Sequence, residues 1–117
     1  MTFRKQLLTY EGEMQDTLEA LADPRRRRIL ELVKATEMPA GAIAGAFPDV
    51  TRPAISQHLK VLKAANLLSE RREGTKRLYR ARPEGLLDVR EYLDLFWDDR
   101  IERLRQAAER EERKHQP

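Results

Sequence analysis

Apolar residues at Met14, Leu18 and Leu21 recur at spacings of four and three, the period of one helical face, and predict a short first helix from Glu13. Before it, residues 1–12 hold apolar side chains without a sustained repeat and a break at Gly12, the pattern of an arm that is either mobile or docked on a partner. Asp23-Pro24 then restarts the chain: the Asp accepts backbone N–H bonds as N-cap, and the Pro stands at the first helical position, where its missing donor costs nothing. The second helix, to about Lys34, turns Ile29, Leu30 and Val33 inward. It also crowds Arg25 to Arg28 into its first turns, an unusual place for positive charge given the helix dipole; ion pairing and solvation are expected for most of them. Met38-Pro39-Ala40 opens a third, short helix whose Gly41 and Gly45 are poor helix formers, so packing through Ile43, Ala44 and Phe47 must hold it. After a turn at Pro48-Asp49, Thr51 caps a fourth helix with Pro53 in its first turn and Ile55, Leu59 and Leu62 as its buried stripe.

Past Asn66 the period shortens. Leu67 to Arg72 and Lys76 to Arg82 read as two strands around Glu73-Gly74-Thr75, with Gly74 supplying the positive φ of a tight hairpin. From Pro83 a long last helix carries an apolar stripe to be buried, Leu86, Val89, Leu93, Phe96, Trp97, Ile101 and Leu104, and ends in a charged run suited to solvent. The expected organisation is an arm (1–12), a single domain (13–110) and a charged tail (111–117).

The length of 117 residues suits one domain. Charge sharpens the picture through its distribution rather than its net value. Residues 1–50 carry seven basic and eight acidic side chains, residues 51–82 nine and two, and residues 83–117 seven and ten. A basic middle segment is the footprint expected of a polyphosphate partner, since neutralising phosphates releases their counterions. The alternative is a solvated basic face. No run approaches the length of a membrane span, and the first residues lack a signal-peptide core, so a cytoplasmic protein is expected. There is no cysteine, which excludes disulfides, thiolate metal sites and thiol switches.

Short helices, then a helix with an apolar back and a hydrogen-bonding front, then a basic hairpin: this order is that of a winged helix-turn-helix, mainly α with a two-stranded wing. The major groove of B-DNA admits one helix, whose N-terminal polar residues reach base edges or phosphates. Here those are Arg52, Ser56 and Gln57, with Thr51, Pro53, His58 and Lys60 as further DNA-binding candidates on the same helix and Arg71, Arg72, Lys76 and Arg77 on the wing to lie along the backbone or in an adjacent minor groove.

The wording also resembles a known family, the ArsR-type winged-helix repressors. The resemblance rests on Ala20-Leu21-Ala22-Asp23-Pro24-Arg25 with Ile29-Leu30, on Ser56-Gln57-His58-Leu59-Lys60 running to Leu68, and on Arg71-Arg72-Glu73-Gly74 with Tyr79, over about residues 14–110. Asn66 stands where the family has glycine, and either can adopt a left-handed cap. The resemblance implies a homodimer built from the first and last helices on a near-palindromic double-stranded operator. Met14, Leu18, Leu21, Val89, Tyr92, Leu93, Phe96, Trp97, Ile101 and Leu104 are the expected interface, because the last helix exposes more apolar surface than a small monomer can cover. The competing reading is that these aromatics close the monomer core.

Many members of that family sense metals through cysteines in the third helix or Asp/His sets in the last. This chain has only alanine, glycine and isoleucine in the third helix and no histidine in the last before His115, so it resembles the metal-free branch, whose inducers are commonly unknown. No metal and no cofactor is expected. His58 fits a phosphate contact or an internal hydrogen bond better than a pH switch. Ser56 and His58 are two apart on one helix and point to different faces, so no hydrolase is expected. Two rivals remain. A protein-docking winged helix would place apolar anchors on the front of the fourth helix, and an RNA-binding one would expose stacking aromatics, of which the basic segment has only Tyr79.

Overall fold

The computed structural model describes the backbone of residues 2–115, and side chains from Gly12 onward apart from those of residues 98, 99 and 101. The chain divides into two compact units, up to Leu87 and from Asp88.

The first unit begins with α1 (Thr2–Ala22). The helix starts well before Glu13 and runs through Gly12, so the segment expected as an irregular arm is helical in its backbone; the side chains of residues 1–11 lie outside the described residues. Its buried face also differs from the expected stripe. Thr17 and Ala20 are buried, Met14 and Leu21 are half-buried, and Leu18 is exposed. Thr17 is accommodated because its hydroxyl donates to the Glu13 carbonyl at 3.0 Å.

Asp23 caps α2 (Pro24–Leu32), accepting the Arg25 N–H at 2.8 Å, as its Asp-Pro pair predicts. The following residues contain a strand that periodicity did not predict, β1 (Met38–Pro39), before α3 (Ala40–Gly45). Two residues are too few to show alternation. Ile43 is fully buried and anchors α3, which has no side-chain cap. Thr51 caps α4 (Arg52–Ala64), its hydroxyl accepting the Ala54 N–H at 3.3 Å, and Ile55, Leu59 and Leu62 are buried. Full burial of each such side chain contributes about 1.5–3 kcal/mol.

The end of α4 is a left-handed cap of the Schellman type. Asn66 has φ 61°, its N–H bonds the Lys63 carbonyl, and the Leu67 N–H bonds the Leu62 carbonyl, both at 3.0 Å. Asparagine therefore fills the place where glycine is customary without loss of the motif. The chain then forms β2 (Leu68–Glu73) and β3 (Lys76–Ala81), joined by Gly74 and Thr75 with Gly74 at φ 63°. Glycine at the first position of a two-residue loop matches the twist of the strands. β1 pairs antiparallel with the other side of β3, so the wing is a three-stranded sheet in the order β1-β3-β2.

A 3-10 turn (Pro83–Leu86) is locked to the α4 cap: the Arg82 N–H donates to the Leu67 carbonyl at 2.8 Å and its guanidinium to the Asn66 carbonyl at 3.2 Å. A Cβ on Gly85 would lie 2.3 Å from the Asn66 carbonyl oxygen, so only glycine fits there. The core of this unit gathers Ala20, Ile29, Val33, Ile43, Phe47, Ile55, Leu59, Leu62, Leu67, Leu68 and Tyr79 from α1 to α4, β2, β3 and the segments between them.

The second unit is the body of α5 (Leu87–His115). The stripe expected to be buried is mostly open. Tyr92, Leu93, Phe96, Trp97 and Leu104 are exposed, as is Leu86 just before the helix, while Val89 is buried and the Ile101 side chain lies outside the described residues. Tyr92 and Phe96 meet edge to face at 5.3 Å between centroids. Leu95 is also exposed.

Candidate nucleic-acid interface

α4 is a two-faced helix set on the core by its apolar stripe. Arg52, Pro53, Ser56, Gln57, Lys60 and Lys63 are exposed on the rest of its surface, Thr51 is exposed at its N-terminus, and no acidic residue interrupts it. The Arg52 guanidinium lies over the start of α3, beside Gly41, where even an added Cβ would be in ordinary contact at 3.6 Å. Arg52, Lys60 and Lys76 enter no ion pair among the described residues.

His58 behaves differently from its neighbours. It is half-buried, and its Nδ1 is 3.5 Å from an Arg26 guanidinium nitrogen, an internal contact. Arg26 in turn donates to the Ala20 carbonyl at 2.7 Å and the Glu19 carbonyl at 2.9 Å, and Arg27 donates to that of Ala22 at 3.2 Å and also to that of Leu21. These two arginines supply donors to the orphan carbonyls at the end of α1, which has no basic residue in its own last turn. Arg28 lies over the Phe47 ring at 5.8 Å. Three of the four clustered arginines are thus structural staples. Among the described residues only Arg26 of the four forms an ion pair, with Asp23 at 3.8 Å, while Arg25, Arg27 and Arg28 stay exposed to solvent as expected. Burial opposes ionisation of Asp23, but the Arg25 N–H, His58 and Arg26 outweigh it and hold the carboxyl below its usual range.

The register of the wing sorts its charges. Directly opposed residues share a face of a sheet, so Glu70, Arg72, Arg77 and Tyr79 lie on one side and Arg71, Glu73, Lys76 and Leu78 on the other. The first side is the one that meets α4, because the Glu70 carboxylate pairs with Lys63 of that helix. Arg77 adds a second contact to Glu70 at 3.4 Å. On the far side the Arg71 guanidinium grips Glu37, just before β1, with both carboxylate oxygens 2.9 Å from its Nε, and also reaches Glu73 at 3.2 Å. The hydrogen bond from Arg71 depresses the Glu37 pKa against a smaller desolvation effect.

Sequence reasoning placed Arg71, Arg72, Lys76 and Arg77 together at the hairpin tip; the structure splits them into two pairs. It passed over Glu37, Glu70 and the pairing of Lys63. The alternation of the strands holds the signal for the split, since Arg71 and Arg72 are adjacent and must face opposite ways. The partner of Arg71, far away in the chain, left no such signal. Among the described residues no group of three or more His, Asp or Glu side chains is placed to hold a metal, and no helix is long and apolar enough to cross a membrane.

A capped helix with an acid-free polar face, supported by two shorter helices and flanked by a basic three-stranded wing, defines a winged helix-turn-helix DNA-binding module. The helix-turn-helix domain family matches residues 21–71. The HTH-type transcriptional regulator Rv2034 of Mycobacterium tuberculosis is 48% identical over 79 residues, 68% of this chain and 73% of its own. The transcriptional repressor SdpR of Bacillus subtilis is 44% identical over 61 residues, 52% of this chain and 67% of its own. Of solved structures, the homodimeric winged helix-turn-helix DNA-binding domain Mb0332 of Mycobacterium bovis aligns with a TM-score of 0.62 at 31% identity, covering 86% of this chain and 90% of that one. The chain belongs to the ArsR-type family of helix-turn-helix transcriptional regulators, which are not enzymes.

Proposed function

We propose that this regulator is a homodimeric repressor that acts in the cytoplasm by seating α4 of each protomer in the major groove of a near-palindromic double-stranded operator. The observation that carries the reading is the exposed face of α4, whose polar side chains are all hydrogen-bond donors without a carboxylate among them. Arg52, Ser56 and Gln57 read base edges, Arg suiting guanine O6 and N7 and Gln suiting adenine N6 and N7. Thr51, Pro53 and Lys60 lie against the backbone, and His58 holds the helix to Arg26. Arg72, Lys76 and Arg77 carry the wing onto adjacent phosphates or into the minor groove. Dimerisation uses the open apolar face of α5, Tyr92, Leu93, Phe96, Trp97 and Leu104, with Leu18 of α1.

The test is selection of bound duplexes from a random DNA pool at about 150 mM salt, where weak electrostatic binding is suppressed. Enrichment of an inverted repeat with half-sites about one helical turn apart is expected. A folded sample that enriches nothing would replace this reading with a protein-docking module.

A further inference from the structure

Glu70 is a carboxylate of the basic segment that the proposed DNA contacts do not use. Its side chain is 13% exposed, set at the seam between α4 and the wing, and Lys63 and Arg77 close on it from the two elements. Arg72, directly opposite Arg77 in the sheet register, adds a third positive charge that acts on it through space. Two guanidiniums facing each other across a strand pair repel, and an anion between them and Lys63 relieves the repulsion. A carboxylate is the anion present. Its hydrogen bond from Lys63 outweighs desolvation and holds its pKa below the usual range, so it stays charged throughout the neutral range.

We propose that Lys63, Arg72 and Arg77 form a binding site for a backbone phosphate of DNA, and that Glu70 is a resident anion which occupies it in the free protein and competes with that phosphate. Glu70 thereby sets the affinity and salt sensitivity of the whole regulator without touching a base. The inference rests on the DNA-binding reading above. It makes Lys63, which lies beyond the base-reading turns of α4, part of the interface. It also gives a reason for a carboxylate at a place where simple electrostatics would favour a neutral residue. Arg71 is not part of this site, since it lies on the other face of the sheet with its own carboxylates, Glu37 and Glu73.

The experiment is a fluorescence-anisotropy titration of a mixed-sequence duplex with full-length wild type and Glu70→Gln across a salt series, because phosphate neutralisation does not depend on sequence. Glutamine keeps the size and the acceptor for Lys63, so a purely structural strut survives the change. The expected result is about tenfold tighter binding near 0.1 M salt and a log K against log salt slope steeper by about 0.9 for each additional phosphate neutralised. In a double-mutant cycle with Lys63→Gln alone, the gain from Glu70→Gln is expected to be lost in the Lys63→Gln background, the signature of coupling within one site. Equal or weaker binding by Glu70→Gln, with an unchanged slope and an unchanged melting temperature, overturns the resident-anion assignment and leaves DNA binding intact. If neither protein binds duplex at low salt, the DNA-binding reading itself falls, and this one with it.

Discussion

Two helices of this protein are built on the same apolar period and use it in opposite ways. In α4 the stripe is spent inside its own unit, with Ile55 2% exposed and Leu62 fully buried. In α5 the equivalent positions stay open, with Phe96 61% and Leu104 69% exposed. Periodicity announces that a face is to be covered and is silent on what covers it. For α4 the cover is the core of the DNA-binding unit, which fixes the polar opposite face in one orientation. For α5 the cover proposed here is a second copy of the chain. The two cases separate experimentally, because a core contact stabilises each molecule at any concentration, whereas an interface contact makes stability depend on concentration.

The largest effect tests the buried half of that comparison. Leu62→Ala removes a fully buried side chain at the point where α4 meets the wing and is expected to destabilise the protein by about 2–5 kcal/mol in denaturant titration. The loss should be the same at every protein concentration. A loss below about 1 kcal/mol would mean that the site collapses freely and is not the packed centre described above.

The open half is tested by Phe96→Asp. A charge within the proposed aromatic interface is expected to cost about 2 kcal/mol or more of association and to yield a monomer by sedimentation velocity. Binding to an inverted repeat should weaken with it, while each monomer stays folded. A variant that remains dimeric would move the interface away from this face of α5.

How much of this was legible in the sequence follows the same division. Caps were readable residue by residue: Asp23-Pro24, Thr51 with Pro53, Asn66 and Gly74 each do what their local chemistry demands. The stripe of α4 was readable because it is long and regular. β1 was not, since two residues carry no period, and α1 was misjudged because its buried face is made of Thr17 and Ala20 rather than large apolar residues. In the candidate site, the residue types on α4 and the wing were foreseen but their partners were not. Arg26 with His58 and Arg71 with Glu37 join positions more than thirty residues apart, and nothing in the local pattern encodes such pairs.

Smaller effects sharpen the contrast between the residues proposed to read bases and those proposed to hold phosphate. Arg52→Ala is expected to cost about 1–3 kcal/mol at the operator and to relax preference at one base-pair position in a repeated duplex selection. Arg72→Gln is expected to weaken all duplexes alike and to flatten the salt slope by about 0.9. Equal losses across all sequences for both variants would refute this division of labour.

Asp23 caps α2 and pairs with Arg26, and it is expected to matter less. Asp23→Ala removes the cap of α2 and should cost about 1 kcal/mol in thermal or denaturant unfolding. Its carboxyl is held below the ordinary value of 3.8 in the folded protein, so its contribution is fully present above that value and is lost as pH falls through the folded pKa. Wild type and Asp23→Asn should therefore differ in stability near pH 6 and converge towards pH 2. A difference that widened on acidification would reverse the sign and with it the assignment of the cap as a charged group.

The smallest expected effect is the most discriminating for the wing. By sequence Arg71 and Arg72 are equivalent neighbours at the tip of a basic hairpin. By register they face opposite sides, and Arg71 is engaged by Glu37 and Glu73 on the side away from α4. Arg71→Gln should consequently leave the salt slope of DNA binding unchanged, in contrast to Arg72→Gln measured in the same buffers. Surface ion pairs of this kind contribute little to stability, so the melting temperature should hardly move. If Arg71→Gln flattened the slope as much as Arg72→Gln, the guanidinium would have to leave Glu37 when DNA arrives. The wing would then rearrange on binding, rather than present the two-faced sheet seen in the free protein.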